Sequence, residues 1–385
     1  MRNLQVLLVF IILLTTMSGC KTTDNPISHR IAAIEEDKFL GWPANQGLWQ
    51  WGDEILVGFT RGDYTERGGH NIAGIEESIF TRSLDGGETW EMFKPDDFMD
   101  DDNIKWMPED KKHLESPLNF KHEGFAMRVF ATGYHGNDDP EGGFFYSYDR
   151  GSSWQGPYYL GDINNHSELR DMQITARTDY IVKGEKEMFL FISANPQIPR
   201  NNRIACIKTE DGGMSFEFIT WVTPDEPDFN PIMSSTVQIA ENKFIMAYRN
   251  RYFGERDDIR SSIEVYISED RCRTWSHLST AKEFELAEGN NTNPPALAYL
   301  GDERVVCVYG ERDYSRMTGR YSEDGGETWG EEFIIRDNFR DLTDSAWDFG
   351  YPVLSKRNDG KLAALYYWAS EENLQQHIAV SIWQP

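Results

Sequence analysis

Runs of aromatic and β-branched residues, interrupted by clusters of Gly, Asn and Asp, recur along the chain from about residue 29 to its end. Runs of this kind bounded by turn formers read as β-strands. Three follow one another at 295–299, 305–309 and 317–322. Three more, at 351–354, 361–368 and 377–383, close the chain, with Asn358-Asp359-Gly360 as the turn before the second. No stretch carries the period of an amphipathic helix, so the pattern predicts an all-β protein.

One apolar run is of another kind. Residues 4–14 are almost wholly apolar, follow Arg2, and lead into Thr15-Thr16-Met17-Ser18-Gly19-Cys20. A run this short with small residues behind it reads as a signal peptide and not as a spanning helix. A cysteine directly after the small residues resembles a bacterial lipobox. The expectation is therefore a leader over 1–19, lipidation at Cys20, a tether over 20–28, and one domain over 29–385. The lipid would hold the protein to a membrane of the cell envelope, periplasmic or outer, without embedding its fold.

An internal repeat sets the architecture. Ser83-Leu84-Asp85-Gly86-Gly87-Glu88-Thr89-Trp90 returns as Ser322-Glu323-Asp324-Gly325-Gly326-Glu327-Thr328-Trp329. Between them lie SYDRGSSW from Ser147, TEDGGMSF from Thr209 and SEDRCRTW from Ser268, with successive starts 64, 62, 59 and 54 residues apart. Each copy is a tight turn between two strands. The Asp caps turn amides, the Gly takes positive φ, and the Trp buries its ring. These turns are scaffold, and Cys272 in the glycine position of the fourth predicts a turn that is strained or reshaped. Five repeats plus three C-terminal strands, completed by a strand from residues 29–39, predict a six-bladed β-propeller closed by pairing its two ends.

Composition narrows the partners. A formal net charge of −26 argues against nucleic acid or anionic lipid surfaces. Cys206, Cys272 and Cys307 make neither a disulfide framework nor a zinc site. Acids are plentiful, but no loop has calcium-ligand spacing, and no phosphate loop or Ser-His-Asp signature is present, so no cofactor is expected. A monomer is expected.

In a propeller the ligand site lies over the axis, built from innermost-strand starts and the loops between second and third strands. Those segments hold Arg61, Asp63 and His70 in the first repeat, His122 and His135 in the second, and Arg177 in the third. Arg249 follows in the fourth, Arg312 and Arg316 in the fifth, and Asp348-Phe349-Gly350-Tyr351-Pro352 in the sixth.

The repeat S-x-D-x-G-x-T-W is the Asp box, and with it the whole chain from residue 29 resembles the sialidase (neuraminidase) superfamily. The resemblance implies three arginines on a substrate carboxylate, a Tyr nucleophile with an assisting Glu, and an acidic acid/base in a first-blade loop. Such a nucleophile sets these enzymes apart from most glycosidases. Carried over, Arg249 and Arg316 match the second and third arginines, and Tyr351 matches the nucleophile segment. Residues 42–46 lack the first arginine, 231–235 lack the Glu, and the loop acid falls near His70.

The expectation is a glycoside hydrolase acting on an acidic glycan. Tyr351 would be its nucleophile or acid, and His70, with Asp63 as understudy, its acid/base. Arg249, Arg316, Arg61, His122 and Arg177 would bind substrate, guanidinium geometry suiting a carboxylate. Two alternatives use the same groups: a lyase or uronate-linked glycosidase working through His and Tyr, and a non-catalytic glycan-binding propeller.

Overall fold

The computed structural model describes residues 26–66, 70–95, 111–130, 142–170, 172–174, 177–196, 202–226, 229–252, 260–284, 293–340 and 348–385. Cys20, His135 and the leader lie outside these residues. Six separate antiparallel sheets make six blades. Among the described residues the sole α-helical segment is Pro43–Gln46.

Blades IV and V show the plain pattern of four consecutive strands: Ile232–Gln238, Phe244–Tyr252, Arg260–Ser268 and Ser276–Phe284, then Ala296–Gly301, Arg304–Glu311, Arg316–Ser322 and Phe333–Arg336. Second strands are the most buried, because sheets pack on both their faces. In blade VI every residue of Leu362–Ser370 is buried, which explains its nearly unbroken apolar sequence. The apolar core lies between blades rather than within one. Six clusters join consecutive blades, from Trp49, Phe80 and Trp154 between I and II to Phe39, Val57 and Leu365 between VI and I, the last also taking in Ile232 and Met233 of blade IV.

Gly350–Lys356, Leu362–Ser370 and Asn373–Trp383 supply three strands of blade VI, and the fourth is Ser28–Ala33, paired from Ser28↔Ile382 to Ala33↔Ile378. The predicted N-terminal strand is divided in two. After a turn at Asp37 (φ 60°), Lys38–Gly41 joins blade I against the end of Glu54–Tyr64. One strand cannot serve both sheets, so the chain bends between them.

The Asp boxes repeat one hydrogen-bond pattern. In the first, Ser83 Oγ accepts from Gly87 N (2.7 Å), and Asp85 accepts from the Thr89 amide (2.9 Å) and hydroxyl (2.6 Å). The same contacts recur around Asp149, Asp211, Asp270 and Asp324. Burial works against ionisation of Asp85, yet hydrogen bonds from Thr89, Ser83 and the Glu88 amide hold it down at about 2. At the fourth box Cys272 keeps the glycine conformation (φ 63°) and the bond from its amide to Ser268 Oγ (2.9 Å). The turn is strained, not reshaped.

Blade II departs from the pattern. Its described strands are three, Ala126–Phe130, Gly143–Ser147 and Gln155–Tyr158, and among the described residues no innermost strand covers the first. Side chains of the flanking blades take its place. Thr178 Oγ1 accepts from Val129 N (3.1 Å), Tyr180 Oη from Met127 N (3.3 Å), and Trp49 Nε1 donates to Met127 O (3.3 Å). An exposed sheet edge is thereby satisfied without a strand.

Candidate active site

Three of the segments that lead into the axis contain a non-glycine residue with left-handed backbone: Trp42 (φ 56°), Met233 (φ 62°) and Tyr351 (φ 52°). In blades IV and VI the strand register breaks there, between Ile232 and Ser235 and between Gly350 and Val353. Each such residue costs on the order of 1–2 kcal/mol. Met233 and Tyr351 belong to one apolar cluster and Trp42 packs against it, so the three bulges meet.

Tyr351 is set in place from below. Gly350 has φ 107°, and a Cβ there would collide with the Asn293 amide. That amide accepts from Tyr351 N (2.8 Å) and donates to Phe349 O (3.3 Å). Arg312 closes on the same carbonyl through Nε (3.3 Å) and Nη2 (3.1 Å), donates to Tyr367 Oη (3.2 Å), and lies 5.8 Å from the centre of the Tyr351 ring.

His70 and Asp348 form a pair beside it. Asp348, with no exposed surface, accepts from His70 Nδ1 (2.7 Å) and Tyr367 Oη (2.9 Å) on one oxygen and from Asn71 N (2.8 Å) on the other. The bond from Nδ1 to a buried carboxylate fixes the orientation of the imidazole ring. Burial, reinforced by the Asp348 charge, pushes the Tyr367 phenol far above its ordinary value, so it remains a donor. The Trp42 ring meets His70 edge-on at 4.9 Å, and Tyr367 lies 6.0 Å from Tyr351.

Arg177 reaches from blade III to blade I, donating from Nε to Ala44 O (2.6 Å). It thus places a guanidinium at residues 42–46, where the sialidase pattern expects one and the local sequence has none. Its Nη1 is buried with no hydrogen-bond partner among the described residues. Burial lowers Arg177 to about 10, with the neighbouring Arg249 acting the same way while Asp179 and Tyr351 oppose. It therefore stays cationic near neutral pH. Arg249, 1% exposed and opposite Ile232 in the sheet, completes a cationic group around Tyr351. Asp179, raised by burial, is held by the Ser234 hydroxyl (2.6 Å) and by Thr236 through its amide (3.1 Å) and hydroxyl (2.9 Å). Blade III thus sets a carboxylate against Ser234 and Thr236 of blade IV, whose own residues 231–235 contain none.

Tyr351, His70, Arg177 and Arg249 come together; four other candidates do not join them. Arg61 is tied to Glu77 (2.6 Å) and Glu35 (3.0 Å). Asp63 is a surface group paired with Lys38 (2.7 Å). Arg316 bonds Glu311 and Glu332, and Arg312 takes its place beside Tyr351. The correction for His122 is larger. The 122–125 turn is bonded to the second Asp box (Arg150 N to Gly124 O, 2.9 Å), which puts it on the opposite face. Spacing identified none of Asp348, Tyr367 or Asn293 as site residues. The signal for Asp348 was its position three residues before Tyr351.

Residues 101–364 match the family model described as a BNR repeat-like domain. A search of curated protein sequences finds no match. Among solved structures, a protein of unknown function from Dyadobacter fermentans is similar at 17% identity and TM-score 0.65, over 93% of this chain and 99% of that one. The α-L-arabinofuranosidase Arb93A of Fusarium graminearum is similar at 11% identity and TM-score 0.55, over 92% and 98%. Trypanosoma rangeli sialidase, in complex with sialic acid, is similar at 12% identity and TM-score 0.55, over 92% of this chain and 58% of that one. At such identities the likeness is one of fold: a sialidase-like propeller whose structural neighbours include glycoside hydrolases.

Proposed function

Because the chain belongs to the BNR repeat-like domain family, we propose that it is a glycoside hydrolase acting on an acidic glycan at the propeller mouth. The observation that carries this reading is the carboxylate-backed imidazole, His70–Asp348, beside a tyrosine flanked by buried arginines. Arg177, Arg249 and Arg312 bind the substrate carboxylate, and the unpartnered Nη1 of Arg177 supplies one donor. A phenolic nucleophile suits such a substrate, because a carboxylate nucleophile would be repelled by the sugar's own charge.

Tyr351 reacts as the phenolate, its charge stabilised by Arg177 and Arg312. Its oxygen bonds to the anomeric carbon while the leaving oxygen takes a proton from His70 Nε2. Neutral His70 then removes a proton from the water that releases the sugar from Tyr351. Asp348 orients the ring through its bond to Nδ1.

One observation favours a second reading. Among the described residues no carboxylate hydrogen-bonds to Tyr351. The same groups serve β-elimination on a uronate. The arginines neutralise the carboxylate, and His70 or Tyr351 takes the C5 proton and returns one to the leaving oxygen.

Turnover of sialosides, uronate oligosaccharides and arabino-oligosaccharides by the chain and by Tyr351→Phe and His70→Ala tests the proposal. A hydrolysed acidic sugar, lost in both variants, supports the hydrolase. An unsaturated uronate end selects the lyase. Binding without turnover on every member leaves a glycan-binding propeller and overturns both enzymatic readings.

A further inference from the structure

A cavity of about 400 Å³ lies between blades I and III, with His122 of the Asp-box face in its lining. Trp49 and Trp51 of blade I form one wall; Phe120 and Phe125, with Tyr180 of blade III, form the other. It occupies the gap where blade II has no described innermost strand. His122 stands at one end of the cavity on the Asp-box face, and Thr178 and Asp179 line it next to Arg177.

Its chemistry is distinct. No Lys or Arg lines it, and its one carboxylate, Asp179, is already bonded by Ser234 and Thr236. A peptide strand is excluded from the blade II edge, because the outward N–H groups of Met127 and Val129 are bonded to Tyr180 and Thr178. Exposed His122 stands at the rim with its ring 4.5 Å from Tyr148 and its Nδ1 accepting from Gly124 N (3.1 Å), leaving Nε2 for a ligand. Aromatic walls interspersed with Gln50, His122 and Thr178, and a carboxylate satisfied by its own neighbours, suit a small, uncharged, hydroxylated ring.

We propose that this cavity is a second, non-catalytic carbohydrate site that takes a neutral sugar unit, stacked on Trp51 with a hydroxyl bonded to His122 Nε2. It would hold a neutral part of a glycan at the end of the cavity where His122 stands.

The test is saturation-transfer NMR and calorimetry with neutral monosaccharides and disaccharides: glucose, galactose, mannose, arabinose, cellobiose and lactose. Wild type, Trp51→Ala, His122→Ala and His70→Ala are compared, and melting curves check that Trp51→Ala is folded. His122 is exposed in a turn, so its variant keeps the test open if Trp51→Ala does not fold. The expected result is saturable, salt-independent binding of at least one neutral sugar. His122→Ala or folded Trp51→Ala weakens it about three- to tenfold, and His70→Ala leaves it unchanged. No saturable binding of any neutral sugar would overturn the proposal. So would binding that survives both cavity variants, or binding that is lost with His70→Ala, which would assign it to the mouth. Activity at the mouth is read separately, so failure here leaves the proposed hydrolase intact.

Discussion

His70 Nδ1 lies 2.7 Å from Asp348 Oδ1, although 278 residues separate the two along the chain. The ring closes blade VI against blade I and so brings the loop after the second strand of one to the start of the innermost strand of the other. An imidazole backed by a fully buried carboxylate is a proton-transfer device, and several expectations rest on it.

His70→Ala should lower kcat by about 10²–10⁴-fold, the range for loss of a positioned acid or base. Asp348→Asn keeps the size of the group but removes its charge. It should lower kcat by a smaller factor and shift the limb of the pH–rate profile that reports His70. A loss of activity with an unchanged profile would make Asp348 a structural residue only.

Arg312 grips the Phe349 carbonyl with two nitrogens and faces the Tyr351 ring. Lysine cannot reproduce that fork. Arg312→Lys should raise KM for an acidic substrate about tenfold or more and leave turnover of a neutral aryl glycoside less affected. Equal effects on both substrates would show that Arg312 only shapes the loop.

Thr178→Val removes the acceptor for Val129 N (3.1 Å) and the donor to Gln46 O (2.8 Å). Leaving such groups unpaired should cost about 1–3 kcal/mol of stability. Urea unfolding monitored by tryptophan fluorescence measures it. An unchanged midpoint would mean that water replaces the hydroxyl.

Burial of His377 lowers it from the ordinary 6.5 to about 4. Between those values the unfolded chain holds a proton that the folded protein refuses. The contribution of this residue is therefore complete above pH 6.5 and lost as pH falls toward 4, amounting to at most roughly 3 kcal/mol. His377→Gln should flatten the fall in stability between pH 7 and pH 4.5. An equally steep fall in the variant would assign the acid sensitivity elsewhere.

Cys20 carries the proposed lipid anchor. Cys20→Ser should move the protein from the membrane fraction to the soluble fraction and remove an acyl mass from its N-terminal peptide. Membrane association that persists in the variant would overturn the lipoprotein reading.

The sequence by itself determined the blade. A turn such as Ser83 to Trp90 is local, its hydrogen bonds spanning four residues or fewer, so type and spacing identify it wherever it recurs. Strand runs such as Leu362–Ser370 were legible for the same kind of reason, since burial on both faces demands continuous apolar character. The site was legible only in part. Tyr351 was found from the segment around it and His70 from its loop, but nothing local distinguishes Arg312 from Arg316 four residues on, or marks the division of the N-terminal strand at Asp37. Those outcomes depend on which carboxylates lie across the neighbouring strand and on which sheet edge is free. Arg316 meets Glu311 and Glu332, whereas Arg312 meets the Phe349 carbonyl. Asp348 became a partner of His70, and Arg177 a cation at Ala44, only because the closed ring brings distant segments within hydrogen-bonding distance. Contacts between blades join residues with no fixed separation along the chain, so tertiary structure alone decides them.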